Sequence, residues 1–100
     1  MRPGQKHWVY IMSNRHKNVL YIGVTNNLKR RVVEHENGLD NGFSRKYNCH
    51  YLIYAEDFKS INKAIKREKE IKGWRREKKD NLIKSINPQF NFLNDEVKSL

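Results

Sequence analysis

Two tyrosines, an arginine, a histidine and a glutamate stand out in this 100-residue chain, because their types and spacing suit chemistry on a phosphodiester. They are Tyr10, Tyr21, Arg31, His35 and Glu68. Each tyrosine lies within a short apolar run, and the arginine and the histidine are one helical turn apart. Since a polar group is costly to bury unless something uses it, five such groups that could converge on one surface of a very basic chain indicate phosphodiester chemistry.

Glu68 interrupts an apolar helical stripe. Positions 61, 64 and 65 are apolar and begin a helix face whose i+7 position is Glu68, whereas Glu70 is expected to face solvent. An ionised carboxylate on an inward face needs an arginine, a hydrogen-bond network or a metal ion as its partner. This pattern favours two explanations of Glu68 equally. One is a salt bridge to Arg31 or Lys72, and the other is a functional role.

The arginine and the tyrosines each have a structural explanation as well as a chemical one. Arg31 could hold a phosphate through two hydrogen bonds, but most surface arginines only pack their stems. A strand tyrosine near cationic groups could act as a general base, because its phenolate form would be favoured. Most strand tyrosines, however, are core residues with satisfied hydroxyls. Chemistry is therefore indicated by the set of residues and by no single member.

The formal net charge of +10 and the pI of about 9.9 indicate a polyanionic or acidic partner. A helix lying on a membrane surface is disfavoured, because Gly73 breaks the apolar stripe of the 60–86 region and that stripe is needed for a core. Any single lysine run is ordinarily a solvated helix face. The charge as a whole favours nucleic acid.

The composition predicts a cytoplasmic protein. No apolar run approaches the length of a membrane span, and the first residues lack the apolar stretch of a signal peptide. Cys49 is the single cysteine, which is typical of a reducing compartment. The four histidines lack zinc-ligand spacing, so a structural zinc site is not expected.

Two runs of β-forming residues, Trp8–Met12 and Val19–Gly23, flank a polar segment and predict an antiparallel hairpin. Thr25 or Asn26 is expected to cap the following helix, which should end near positions 37 and 38. A loop follows, with room for a short helical piece.

A third strand is predicted at Tyr51–Ala55, and two helices follow it. Ser60 is expected to cap the first of these helices and Gly73 to end it. The second should cover about 76–86.

These elements predict an α+β fold, a small three-stranded antiparallel sheet flanked by helices in the order β-β-α-(loop)-β-α-α. One hundred residues suit a single domain, 1–100, with its core at about 7–93. The tail, 94–100, is expected to fray.

The motifs resemble those of the GIY-YIG nuclease domains. Tyr21-Ile22-Gly23 matches the second motif, whereas only the tyrosine of the first motif is kept, in Trp8-Val9-Tyr10. Leu28-x-x-Arg31-x-x-x-His35 is similar to the helix that follows. The segment from Ala64 to Trp74 is similar to the acidic segment of the small stand-alone uncharacterised bacterial members, and 87–91 resembles the closing segment. The resemblance covers about 7–93.

The resemblance implies a role for each of the five polar residues. Tyr10 would be the general base or its helper, and Tyr21 would orient water or phosphate. Arg31 would steady the charge on phosphate, and His35 would assist near the nucleophile or leaving group. Glu68 would be the one carboxylate ligand of a single divalent ion, Mg²⁺ or Mn²⁺.

Further residues would support the site or contact nucleic acid. Gly23 and Asn91 would support the site, although Asn87 also lies in the closing segment. Backbone contacts would come from basic residues on several elements: Lys29, Arg30, Arg45, Lys46, Lys72 and Arg75.

The resulting hypothesis is a metal-dependent DNA endonuclease, with structure-specific cleavage in DNA repair or recombination as one form. The alternative is a nucleic-acid-binding module that keeps the nuclease fold with little or no turnover. A module for an acidic protein is a third and weaker alternative. DNA is favoured over RNA, and a protein partner could direct the domain to its target, because no further domain is present in this chain.

Overall fold

The computed structural model describes residues 6–39 and 42–100. It contains an antiparallel sheet of three strands, β1 (His7–Ser13), β2 (Leu20–Thr25) and β3 (Tyr51–Phe58), in the order β2-β1-β3. The hairpin of β1 and β2 confirms the prediction from the two tyrosine-bearing runs. The central strand is β1, so β2 is an edge strand.

In the part of the chain that the structure describes, five helices accompany the sheet: α1 (Leu28–Glu36), α2 (Gly42–Lys46), α3 (Ile61–Lys72), α4 (Arg76–Ile86) and α5 (Asn94–Lys98). The predicted α+β architecture is therefore confirmed. Within the described ranges, none of these helices has the length and apolar character needed to cross a membrane.

Local hydrogen bonds set the helix ends. The N-cap of α1 is Asn27, whose side chain accepts a backbone N–H three residues on at 3.0 Å. The prediction of Thr25 or Asn26 was wrong, because the Thr25 hydroxyl instead accepts the backbone N–H of Asn27 at 3.1 Å and shapes the turn before the helix. Ser60 caps α3 and Gly73 is its C-cap, as predicted.

Alternation along β1 divides the core into two layers. Val9 and Ile11 belong to the cluster that packs with α3 and α4. Tyr10 and Met12 belong to the cluster on the opposite face, where side chains of α1 and α5 pack. Tyr21 packs against this second cluster, so both tyrosines lie on the α1 face of the sheet.

The terminal residues of α3 and α4 depart from the predicted apolar stripes. The apolar stripe of the 60–86 region predicts that its end residues Ile61 and Ile86 face inward, but they are 51% and 59% exposed. Each is an end residue of its helix, the first of α3 and the last of α4.

The C-terminal segment also departs from its prediction, because residues 94–98 form α5 instead of fraying. Asn94 is buried, and its Oδ1 accepts the backbone N–H of Leu52 at 2.8 Å. Its Nδ2 donates to Glu36 on α1 at 2.8 Å. Val97 enters the core cluster beside α1. These long-range contacts hold a segment whose own sequence is polar.

Candidate active site

Three rings from three elements meet on the α1 face of the sheet. Tyr10 on β1 and Tyr21 on β2 have ring centroids 6.3 Å apart. The His35 ring on α1 lies 5.6 Å from the first and 5.5 Å from the second. The structure therefore brings together three of the residues that the sequence singled out.

Arg31 joins this cluster through the Tyr10 hydroxyl. Its Nε donates to that oxygen at 3.3 Å, and Nη1 donates to Glu34 at 3.0 Å. The hydrogen bond to Tyr10 raises the pKa of the Arg31 guanidinium; partial burial opposes this shift, and Glu34 adds to it. Arg31 is thus a fixed cation beside a phenol.

His35 extends the hydrogen-bonded chain into the interior. It is fully buried, with Nε2 at 3.1 Å from the Tyr10 hydroxyl and Nδ1 at 2.8 Å from the Ser44 hydroxyl. Ser44 Oγ in turn donates to the Cys49 carbonyl at 3.4 Å. If Ser44 keeps its proton on that carbonyl, Ser44 accepts from His35 Nδ1–H, and Nε2 then accepts the Tyr10 hydroxyl proton.

Ser44 is a member of the site that sequence reasoning missed. It is buried, and it lies on the short helix α2 inside the segment expected to be a loop. A single serine in a polar segment carries no periodic signal, so only its contact with His35 identifies it.

The two tyrosines differ in access. Tyr10 is 1% exposed, and its hydroxyl contacts Arg31 and His35. Tyr21 is only half-buried, and none of the residues in 6–39 and 42–100 forms a hydrogen bond with its hydroxyl. A substrate or water molecule could therefore reach the Tyr21 hydroxyl more readily than the Tyr10 hydroxyl.

Glu68 lies on the other layer of the molecule, on α3. Its side chain is 15% exposed and forms an ion pair with Lys72 at 3.1 Å. Of the two salt bridges considered from the sequence, the one to Lys72 is present. On the helical wheel Glu68 shares a side of α3 with Ile61 and Ile65, and Arg67 lies on the opposite flank, bonded to Glu56 of β3.

Glu68 and the tyrosines lie on opposite faces of the sheet. A single substrate could therefore contact both only if it passed around the edge of the sheet. Ile61 and Ile65 line a concavity with Val24 and Arg31, so their side of α3 faces the edge strand β2. Because Glu68 shares that side, one helical turn beyond Ile65, it is directed toward the same edge. Of the residues singled out from the sequence, Arg31 lines that concavity, whereas Glu68 and the two tyrosines do not.

Of the two glutamates on α3, Glu68 is the less exposed and is the candidate ligand for a metal ion. In the part of the chain that the structure describes, no three His, Cys, Asp or Glu side chains cluster in a way that could hold an ion. Mg²⁺ keeps several of its waters and is often held by one or two carboxylates. Glu68 fits such an ion, because its partner Lys72 is half-exposed and can move into solvent.

The asparagines of the closing segment take different positions. Asn87 is buried, and its Nδ2 donates to the Ile53 carbonyl at 2.9 Å. Asn91 is exposed, and its backbone N–H donates to Asn87 Oδ1 at 3.0 Å. The closing segment is thus tied to β3 through Asn87, and the structure does not bring Asn91 into the cluster around Tyr10.

The predicted nucleic-acid contacts lie on three parts of the surface. All six are exposed: Lys29 and Arg30 on α1, Arg45 and Lys46 on α2, and Lys72 and Arg75 at the corner between α3 and α4. That corner also carries Trp74, with Lys78 Nζ 4.3 Å from its ring centroid. Exposed cations beside an aromatic ring are suited to binding nucleic acid, because the cations can contact phosphates and the ring can stack on a base.

The chain belongs to the GIY-YIG family, since the model of the GIY-YIG catalytic domain matches residues 6–81. It is also similar to small stand-alone proteins of bacteria and archaea. A UPF0213 protein of Natronomonas pharaonis is 39% identical over 77 residues, which cover 77% of this chain and 89% of that protein. One from Staphylococcus saprophyticus is 35% identical over 78 residues, with 78% and 94% covered.

A solved structure shows the same fold. The NMR structure of the UPF0213 protein BH0048 from Bacillus halodurans has a TM-score of 0.56 and 27% sequence identity, and the match covers 85% of this chain and 89% of that one. The family is one of nucleases that act on DNA and generally use a divalent metal ion.

Proposed function

We propose that this protein is a DNA endonuclease that hydrolyses phosphodiester bonds with one Mg²⁺ or Mn²⁺ ion. The observation that carries the proposal is the chain of hydrogen bonds from Arg31 through Tyr10 to His35, beside the more accessible Tyr21. A fixed cation, a phenol and an imidazole in contact are the groups needed to hold phosphate and to move a proton.

The family resemblance allows Tyr10 to be either the general base or a helper of that base, and we assign it the helper role. Its hydroxyl is buried and contacts both Arg31 and His35, so it orders these two side chains and leaves contact with the reacting water to Tyr21. Tyr21 orients that water or accepts its proton, because Tyr21 is the more exposed of the two residues.

Arg31 holds the phosphate. A guanidinium has five N–H donors, and here Nε is committed to Tyr10 and one hydrogen of Nη1 to Glu34. The remaining donors can form two hydrogen bonds with phosphate oxygens. Because its Nε is held by the Tyr10 hydroxyl, the Arg31 side chain keeps its orientation when the substrate binds.

Glu68 would hold the metal ion, with Lys72 displaced toward solvent. Bound there, the ion would neutralise the negative charge that develops on the phosphate and its leaving oxygen. The edge of β2 separates Glu68 from Tyr21, so the scissile phosphate would lie along that edge and the DNA backbone would continue over the exposed cations of α1 and α2.

A second candidate is a DNA-binding module with little turnover. One observation favours it: Glu68 is already neutralised by Lys72 and lies on the layer of the molecule opposite Tyr10. If Lys72 keeps its place when DNA binds, the metal ion is excluded and only binding remains.

Cleavage assays separate the two candidates. The protein is incubated with flap, forked, nicked and supercoiled DNA, with and without Mg²⁺ or Mn²⁺, beside Glu68→Gln and a Glu70→Gln control on the same helix. We expect cleavage by the wild type and by Glu70→Gln only. Binding without cleavage by the wild type would support the second candidate. A role in repair or recombination, targeting by a protein partner and a cytoplasmic location belong to the same proposal.

A further inference from the structure

A concavity of about 330 Å³ lies beside the candidate active site, at the edge of β2. One wall is mainly apolar and is formed by Val24 of β2 with Ile61 and Ile65 of α3, beside His7 of β1. The opposite wall carries Arg30 and Arg31 of α1. Because Arg31 also bonds the Tyr10 hydroxyl, a ligand in the concavity would touch the proposed phosphate-holding residue.

The two walls suit different parts of one nucleotide. A phosphate is poorly placed against aliphatic side chains, since its charge would lose water without gaining a partner. A nucleobase has flat faces that pack well on apolar groups. Ile61 is 51% exposed at this wall, so an occupant would cover apolar surface that the fold leaves open.

A paired base cannot fill this space. In a duplex the bases are stacked inside and the phosphates form the outer surface, so a base must leave the stack to enter a pocket. Unstacking and unpairing cost a few kcal/mol in a duplex and least in a strand that is already unpaired. A nucleobase in the concavity would therefore have to come from an unpaired nucleotide.

We infer that the concavity binds an unstacked nucleobase next to the phosphate held by Arg31, so the substrate is DNA with unpaired nucleotides at the site, as in a flap or a frayed end. The phosphate assignment rests on the proposed function. In this arrangement Arg31 contacts the phosphate and Arg30 the neighbouring backbone, while Ile61 and Ile65 pack on one face of the base.

The experiment compares two single strands of equal length and charge, without any divalent ion. One is an ordinary oligodeoxynucleotide, and the other consists entirely of abasic nucleotides. Fluorescence anisotropy gives Kd for each strand with the wild type, Ile61→Asn and Ile86→Asn. Ile86 is a matched control, because it is 59% exposed at the end of α4 and does not line the concavity.

We expect the wild type to bind the base-bearing strand about tenfold more tightly than the abasic strand, in the range measured for base-packing residues. Ile61→Asn should reduce that ratio severalfold and leave the abasic Kd unchanged, whereas Ile86→Asn should keep the ratio. Thermal melting of each variant checks that it is folded.

Equal wild-type affinity for the two strands, or an unchanged ratio in Ile61→Asn, would overturn the inference. Neither outcome depends on turnover, since no metal ion is present. Failure of the base-binding proposal and failure of the nuclease proposal are therefore distinguished by the anisotropy and cleavage assays respectively.

Discussion

Tyr10 and Gly23 face each other across β1 and β2, and the phenol of Tyr10 occupies the space into which a side chain at position 23 would extend. A Cβ built on Gly23 would lie 2.9 Å from Tyr10 Cε1 and closer still to the hydroxyl. The glycine of the second motif thus allows the tyrosine of the first to reach Arg31 and His35.

We predict that Gly23→Ala displaces Tyr10 and breaks its hydrogen bonds with Arg31 and His35. Overpacking of this kind costs about 1–3 kcal/mol, and denaturant unfolding would measure it. Gly73→Ala is the control, because its added Cβ would lie an ordinary 3.5 Å from the Glu70 carbonyl oxygen. Equal stability of the two variants would contradict the close approach of Tyr10 to β2.

A second prediction concerns the His35 tautomer. Ser44→Ala removes the hydroxyl 2.8 Å from Nδ1, so the fraction of His35 protonated at Nε2 should rise, and the contact between Nε2 and the Tyr10 hydroxyl should change with it. The ¹⁵N shifts of the imidazole report the tautomer directly. An unchanged pattern of ¹⁵N shifts would show that Ser44 does not set it.

Ser44→Thr is the matched variant for the tautomer prediction, since it keeps a hydroxyl. It should restore the wild-type ¹⁵N pattern where the enlarged side chain is accommodated. We expect Ser44→Ala to destabilise the fold by about 0.5–1.5 kcal/mol, as for the loss of one intramolecular hydrogen bond, and to reduce any cleavage.

A third prediction separates the two roles of Glu68. Its ion pair with Lys72 is an i,i+4 pair with a half-exposed lysine, so its contribution should be only about 0.3–0.5 kcal/mol. Glu68→Gln should therefore melt close to the wild type and still lose metal-dependent cleavage. A loss of several kcal/mol together with full cleavage by the folded fraction would reverse the assignment.

A fourth prediction concerns pH and α5. Partial burial tends to raise the pKa of Glu36, but hydrogen bonds from Asn94 and Lys98 outweigh it and lower the pKa. Because the pKa of Glu36 is lower in the folded state, its ionisation stabilises the fold at pH values above its unfolded-state pKa of about 4.3. This stabilisation is lost as the pH falls through the folded-state pKa. The difference in unfolding free energy between wild type and Glu36→Gln should shrink in that acidic range and be constant near pH 7.

The fifth prediction is the salt dependence of DNA binding. If roughly four phosphates are neutralised, the slope of log K against log salt should be about −3 to −4. Arg30→Ala should reduce the magnitude of the slope by about one. Lys29→Ala should act less strongly, since its Nζ also donates to the Leu100 carbonyl at 3.3 Å. A slope near zero would exclude DNA phosphates as the main contact.

The hairpin, the first helix and α3 could be predicted from the sequence because their signals are local. β-forming runs separated by turn residues define β1 and β2, and the spacing of Arg31 and His35 is a single helical turn. Glu68 is conspicuous for the same reason, since it interrupts a periodic stripe. These local patterns determined which residues carry the candidate chemistry.

Only the tertiary structure decided how those residues meet. Ser44 bonds His35 from a segment with no periodic signal, and Asn94 bonds Leu52 from 42 positions away. The pairing order β2-β1-β3 puts Glu68 and the tyrosines on opposite layers that meet at the edge of β2. Such contacts depend on which strand lies at the edge and which face each helix covers, and these are set by packing over the whole chain.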